Sequence, residues 1–244
     1  MKFIAFIGED RSGKTTMSKS LQELVHRGCR YKAEMISWAD SLREEIMLLY
    51  GLPYDIIFNR SINKNETIIL VSDYDYDSSL PALWKKHKLI KKIADFKDLK
   101  ITLRDLIINH GTHIRRAEDP RYWVKKFDEK VTNLTDDFDF VIIDDTRFDT
   151  EFEYLLDKDT QIYYLSNGSK NKTNHAQDSL LNWVDANRTR IKTYIKTSIP
   201  LLIYEADKLN ISNVIKRLPP PKAKVSGSLY TSIPRFRPSS FQDL

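Results

Sequence analysis

Apolar and polar positions follow two different periods along this chain, and the alternation between them predicts its architecture. Short apolar runs stand at residues 3–7 (FIAFI), 33–37 (AEMIS), within 138–145 (FDFVIIDD), at 161–165 (QIYYL) and at 199–205 (IPLLIYE). The first is uninterrupted, as expected of a strand buried on both faces of a parallel sheet. Between these runs the apolar residues recur at helical spacing. Met17, Leu21, Leu24 and Val25 share one face of residues 14–27, which Gly28 can end; Leu42, Ile46 and Leu49 form a stripe over residues 38–50, closed by Gly51 and Pro53. Further helices are predicted over residues 83–97 (apolar side Leu83, Leu89, Ile90, Ile93, Phe96), over 101–115 (Leu103, Leu106, Ile107), from Pro120 onward, and over 149–157. Strands alternating with helices predict an α/β fold, a parallel sheet flanked by helices. Residues 67–71 (TIILV) read equally as a strand or a buried connector.

The junction of the first strand and first helix carries the clearest chemistry. Residues 8–15 (GEDRSGKT) match GxxxxGK[ST] in full. In such a loop the glycines let successive N–H groups turn inward around an anion, and the following helix directs its positive end to the same place. Lys14 is expected to reach the β/γ-phosphates of a nucleoside triphosphate and the Thr15 hydroxyl to ligate Mg²⁺. The expected donor set is Gly8, Arg11, Ser12, Gly13, Lys14, Thr15 and Thr16. A second signal is the strand that ends in Asp144-Asp145, followed by Thr146-Arg147-Phe148. Ligands of open α/β sheets sit outside the carboxyl ends of strands, where Asp144, Asp145 and Arg147 would meet a Mg²⁺-nucleotide and its partner.

Other patterns lead elsewhere. Asp73, Asp75 and Asp77 alternate like a calcium loop, but Ser78 and Trp84 occupy the positions that need Gly and Glu, so a solvated acidic loop is expected. His110 and His113 have no carboxylate or thiol at ligand spacing. Residues 166–198 are polar and contain Lys172, His175 and Arg188; they have the size and charge of a phosphate-covering lid, or of a surface excursion.

Composition narrows the class. The net charge is +5, but residues 219–244 contribute +3 of it and the rest of the chain only +2, which argues against a general commitment to nucleic acid. Residues 219–244 also hold five of the nine prolines, as expected of an extended tail without its own core. Its apolar residues suit packing along its own domain or a neighbouring subunit, so a homodimer is one expectation. A single cysteine, Cys29, excludes an intrachain disulfide and suits a reducing cytoplasm; no apolar run approaches a membrane span.

With these pieces placed, the chain resembles the deoxynucleoside monophosphate kinases of tailed bacteriophages, within the P-loop nucleoside monophosphate kinase class. The resemblance rests on the loop at residues 8–15, Ala39-Asp40-Ser41-Leu42-Arg43, Leu103-Arg104-Asp105-Leu106, Gly111-Thr112, Arg115, residues 119–124 (DPRYWV), residues 144–148 (DDTRF), Glu151 and His175. It implies a P-loop kinase domain over residues 1–218, with a helical acceptor-binding region at about 38–135, a lid at about 166–198, and the tail beyond. It implies transfer of the γ-phosphoryl group of ATP to a deoxynucleoside 5′-monophosphate (dNMP), with Mg²⁺. Lys14, Asp144 and Arg147 would be catalytic, and Thr15 and Asp144 would hold the metal. Asp40, Arg43, Arg104, Thr112, Arg115, Tyr122, Trp123, Asp145 and Arg147 would face the acceptor, with Tyr122 or Trp123 stacked on its base. Lys172, His175 and Arg188 would belong to the lid. A polynucleotide end kinase and a P-loop binding module without transfer activity are the alternatives. The first needs a continuous basic groove; the second would lack the acidic partner that Asp144 and Asp145 supply.

Overall fold

The computed structural model describes residues 1–196 except 10, 29–30, 60, 135–137, 167–174 and 192. The apolar run at 199–205, the tail at 219–244, Cys29 and Lys172 therefore lie outside the described residues. Strand β1 (Lys2–Gly8) leads into helix α1 (Lys14–Gly28) and β2 (Ala33–Met35). Helices α2 (Trp38–Leu49) and α3 (Tyr54–Phe58) follow, then β3 (Ile68–Leu70), α4 (Leu80–Lys86), β4 (Lys100–Thr102), α5 (Leu103–Ile108) and α6 (Tyr122–Thr132). The chain returns to the sheet through β5 (Phe140–Ile143), α7 (Asp149–Asp157), β6 (Gln161–Ser166), α8 (His175–Ala186) and β7 (Thr193–Lys196).

Five strands form one sheet in the order β2-β5-β1-β6-β7, every neighbouring pair parallel. The period of two along β1 divides its side chains between two cores. Phe3, Ala5 and Ile7 pack with Val141, Ile143 and residues of α6, α7 and α8; Ile4 and Phe6 pack with Phe140, Ile142 and the Met17, Leu21 and Val25 face of α1. Because β1 is buried on both faces in the middle of the sheet, the loop that follows it is held at the sheet's carboxyl edge. The chain leaves β1 toward β2 on one side and crosses from β5 to β6 on the other, so that edge is a topological switch point.

Between β2 and α6 the chain makes an insertion, mostly helical, with a third core of its own, built on Ile46, Tyr50, Leu80, Trp84, Phe96, Leu103, Leu106 and Ile114. Helix α2 serves both bodies, with Trp38 in the sheet core and Ile46 in the insertion core. Residues 68–70 resolve as a strand, pairing antiparallel with β4 in a separate two-stranded sheet. The acidic residues Asp73, Asp75 and Asp77 are exposed.

Three predicted elements differ. The continuous helix over 83–97 is broken: Pro81 sits in the first turn of α4, where its missing N–H costs nothing, and Lys88 takes φ 59° just after the end. Phe96 is still fully buried, against Trp84 and Tyr76, because a short 3₁₀ turn (Ile93–Phe96) carries it back, whereas Ile93 is left 50% exposed. The helix expected over 101–115 starts as a strand and, after α5, continues as a π-helix, Asn109–Arg116. The third difference concerns the lid. Within the expected 166–198, His175–Ala186 and Thr193–Lys196 are a helix and a sheet strand: α8 buries Leu180 and Val184 in the sheet core and stacks Trp183 on Phe152, and β7 pairs with β6. The amphipathic face of α8 drives this packing, which the surrounding polar residues concealed.

Candidate active site

The donor loop bends where its glycines require it. Gly8 has φ 146° and Gly13 φ 88°, both left-handed, and a Cβ on Gly8 would lie 1.9 Å from the Leu165 carbonyl oxygen. Arg11, at φ 58°, takes a third left-handed position. The Lys14 ammonium donates to the carbonyl oxygens of Gly8 (2.9 Å) and Glu9 (2.5 Å), so the side chain lies across the loop at the start of α1. Ser12 is buried beneath it, Thr15 is half-buried and Thr16 is exposed.

Strand β5 lies beside β1, with Ile143 opposite Ala5, so the carboxylates that end β5 stand next to the loop. The two aspartates have different surroundings. Asp145 caps α2: its oxygens accept from the Ser37 hydroxyl, the Trp38 N–H (2.9 Å) and the Ala39 N–H (3.1 Å). Burial raises its pKa, and the neighbouring Asp144 adds to the rise. Asp144 is 7% exposed, and its side chain has no hydrogen-bond or ionic partner among the described residues. Beyond them, Glu151 forms a buried anchor. One oxygen accepts from Arg116 (2.6 Å) and the other from the backbone N–H groups of Arg147 (2.8 Å) and Phe148 (3.2 Å). The Arg116 guanidinium also lies 3.6 Å from the Phe148 ring centre. The Arg147 backbone is thereby fixed while its side chain projects, exposed, into solvent.

On the insertion side, Glu45 of α2 gathers three donors. His110 Nε2 (2.8 Å) and Arg115 Nε (2.5 Å) approach one oxygen, and the Tyr122 hydroxyl (2.6 Å) donates to the other. Although burial opposes it, these donors hold the Glu45 carboxyl at a pKa of about 2. The Arg115 guanidinium carbon lies 5.1 Å from the Tyr122 ring centre. Arg43 pairs with Asp40 at 2.9 Å, and Asp40 also accepts from the Ser37 N–H in the capping box of α2.

A scan of family models matches residues 27–188 to the deoxynucleotide monophosphate kinase family, which is well over half of the chain. The chain belongs to that family. The match starts after the donor loop and takes in every other element of the site, so loop and family are independent observations. No curated protein matches the chain significantly. The kinase is therefore a phosphotransferase acting on deoxynucleoside monophosphates. Among its described residues no helix is long and apolar enough to cross a membrane.

Several side chains of the kinase stand apart from the roles expected of them. Trp123 is 1% exposed and donates through Nε1 to the Gly111 carbonyl oxygen of the π-helix (3.0 Å), so it is a core residue and offers no face to a base. Asp145 spends both oxygens on the α2 N-terminus. Arg104 is exposed on α5 and, among the described residues, its side chain has no partner; Thr112 is half-buried in the π-helix. Arg188 pairs with Asp185 at 2.8 Å in the turn that precedes β7, at the amino edge of the sheet, opposite the donor loop. His175 opens α8 on the carboxyl side, following β6. Sequence reasoning missed Glu45, Arg116 and the burial of His110. One acidic residue among many carries no local mark, and only the resemblance drew attention to Glu151.

Proposed function

We propose that the kinase transfers the γ-phosphoryl group of ATP to the 5′-phosphate of a dNMP, with the donor held at the β1–α1 loop and the acceptor between α2, the π-helix and the start of α7. The observation that carries this reading is the place of Asp144: it directly follows the strand beside β1, next to the phosphate loop, and no other described residue pairs with its side chain. A carboxylate beside a phosphate loop is a fitting oxygen ligand for a hard divalent cation that also contacts the phosphates. Asp144 and the Thr15 hydroxyl are the residues that would hold Mg²⁺. Such an ion takes one or two carboxylates from a protein and fills its shell with phosphate oxygens and water. Once bound, the ion would neutralise charge on the donor phosphates.

Phosphoryl transfer needs two anions brought into line and their charge offset, with little covalent chemistry from the protein. The loop N–H groups and Lys14 serve the donor. Arg147, its backbone pinned by Glu151, swings only its guanidinium and serves the transferring group. Arg115, with Arg43 nearer the α2 N-terminus, serves the acceptor phosphate, since a guanidinium fork matches phosphate geometry. Tyr122 is the aromatic residue left for the base.

The test is ADP release from ATP with each of the four dNMPs, with a 5′-hydroxyl oligonucleotide and with no acceptor. Turnover is expected with dNMP alone. Lys14→Met keeps the aliphatic stem but removes the charge, and turnover should fall at least ~100-fold, the scale of one lost electrostatic stabiliser. Near-normal turnover in folded Lys14→Met protein rejects the donor assignment.

A further inference from the structure

The insertion core contains a polar chain that the transfer reaction does not obviously require. It starts at Trp84 on α4, whose indole N–H donates to the Tyr50 hydroxyl (2.7 Å). Tyr50 contacts His110 Nδ1 (3.2 Å), and His110 Nε2 contacts Glu45 (2.8 Å). Trp84, Tyr50 and His110 are each no more than 1% exposed. An ionised carboxylate can only accept, so His110 donates to Glu45 through Nε2, and the Tyr50 hydroxyl, whose oxygen accepts from the donor-only indole, directs its proton at His110 Nδ1. Nδ1 is then the acceptor nitrogen, and Nε2 carries the proton donated to Glu45. Every bond in the chain has one direction, set by the carboxylate that only accepts at one end and the indole that only donates at the other. Burial holds the Tyr50 hydroxyl well above the usual phenol range, which keeps that proton in place.

We infer that Glu45 is a positioning residue for the acceptor phosphate, and that the Trp84–Tyr50–His110 relay holds it in place. This rests on the assignment of Arg115 to the acceptor. Glu45 takes Arg115 through Nε, leaving the two terminal nitrogens of the guanidinium for an anion; the nearest carboxylate to them, Glu118, is 3.7 Å away, beyond a good hydrogen bond. With its other oxygen Glu45 fixes the Tyr122 hydroxyl, so one carboxylate sets both an arginine fork and an aromatic ring. Without the relay, Glu45 would keep its charge but lose the donor that fixes its rotamer. The relay also ties α4 to the acceptor side, since α4 supplies the indole that starts the chain.

The test uses the full-length protein, with KM and kcat measured separately for ATP and for the dNMP turned over best. Arg115→Ala establishes the reading beneath the inference; KM for the dNMP should rise about 10-fold or more, the scale of one lost charged hydrogen-bonding group. Glu45→Gln is isosteric and should raise KM for the dNMP by about 10-fold, with KM for ATP within about twofold. His110→Phe should act in the same direction, and His110→Gln, which restores an N–H donor and an acceptor, should recover part of the loss. Trp84→Phe removes the indole donor far from any nucleotide; its expected effect on the dNMP KM is about 2- to 5-fold, and it supplies the test should the Glu45 variant fail to fold. An impaired Arg115→Ala with unchanged Glu45→Gln and Trp84→Phe overturns the inference and leaves the reading intact. Equal losses for ATP and dNMP in the relay variants also overturn it, since a general loss of structure does not choose between substrates. An Arg115→Ala enzyme with normal dNMP response removes the reading itself.

Discussion

Arg115 and Arg116 leave the π-helix toward different carboxylates, Arg115 to Glu45 on α2 and Arg116 to Glu151 on α7. Glu45 is 16% exposed and receives three side-chain donors, from His110, Tyr122 and Arg115; its pKa falls to about 2. Glu151 is 2% exposed and receives one arginine and two backbone N–H groups, with the Asp145 carboxylate nearby; burial dominates and its pKa is pushed up to about 7. Two anchors of neighbouring residues thus respond to pH in opposite senses. Each carboxylate receives three donors, one of them an arginine, so the difference teaches that the depth of burial and a neighbouring like charge decide the state of a carboxylate, and that an ion pair alone does not.

The largest expected effect breaks the Glu151 side. Glu151→Ala leaves Arg116 buried without its counter-charge and two N–H groups without an acceptor, which should cost about 3–5 kcal/mol of unfolding free energy in a denaturant titration. A loss below ~1 kcal/mol would mean that the anchor is not buried in solution. The Glu45 side is next. A carboxyl lowered from 4.5 to about 2 adds stability that is present above pH 4.5 and disappears as pH falls toward 2. The amount is roughly 3 kcal/mol at ~1.4 kcal/mol per unit. Glu45→Gln should therefore flatten the loss of stability between pH 5 and pH 3, measured by urea unfolding at each pH.

Third in size is the side chain that Glu151 aims. Arg147→Ala should lower kcat/KM for the dNMP by about 10- to 150-fold, the cost of roughly 1.5–3 kcal/mol for one charged hydrogen-bonding group, with ATP affinity nearly unchanged. Arg147→Lys should recover only part, because an ammonium cannot make a bidentate contact. If ATP binding collapses instead, Arg147 belongs to the donor. The last effect is a slope, comparable in size to that of Glu45 and opposite in sign. A carboxyl raised from 4.5 to about 7 contributes stability that is complete below pH 4.5 and is lost as pH rises through 7. Thermal midpoints of Glu151→Gln should drop less between pH 5 and pH 7.5 than those of the unmodified chain, the reverse of the tilt removed by Glu45→Gln.

What the sequence determined by itself is what acts over a few residues. The left-handed positions of the donor loop, its two glycines and its lysine are all contained in residues 8–15, and steric limits on φ make that pattern readable without the rest of the chain. The period of two in β1 and the faces of α1 and α2 are local in the same way, and so was the helix after Arg147, expected and observed at residues 149–157. Where pattern and packing disagreed, packing decided. The amphipathic period over 83–97 was satisfied by a turn at Lys88 and a 3₁₀ turn, and an expected lid contained a helix and strand of the sheet layer. Only the tertiary structure chose partners. Arg115 and Glu45 are 70 positions apart and Arg116 and Glu151 are 35, and the chain offers 34 acidic residues among which nothing local discriminates. The same holds for Asp144 and Asp145, adjacent and identical in type. Opposite sides of one strand end gave one of them to the cap of α2 and left the other buried beside the phosphate loop, because successive residues of an extended chain point in opposite directions.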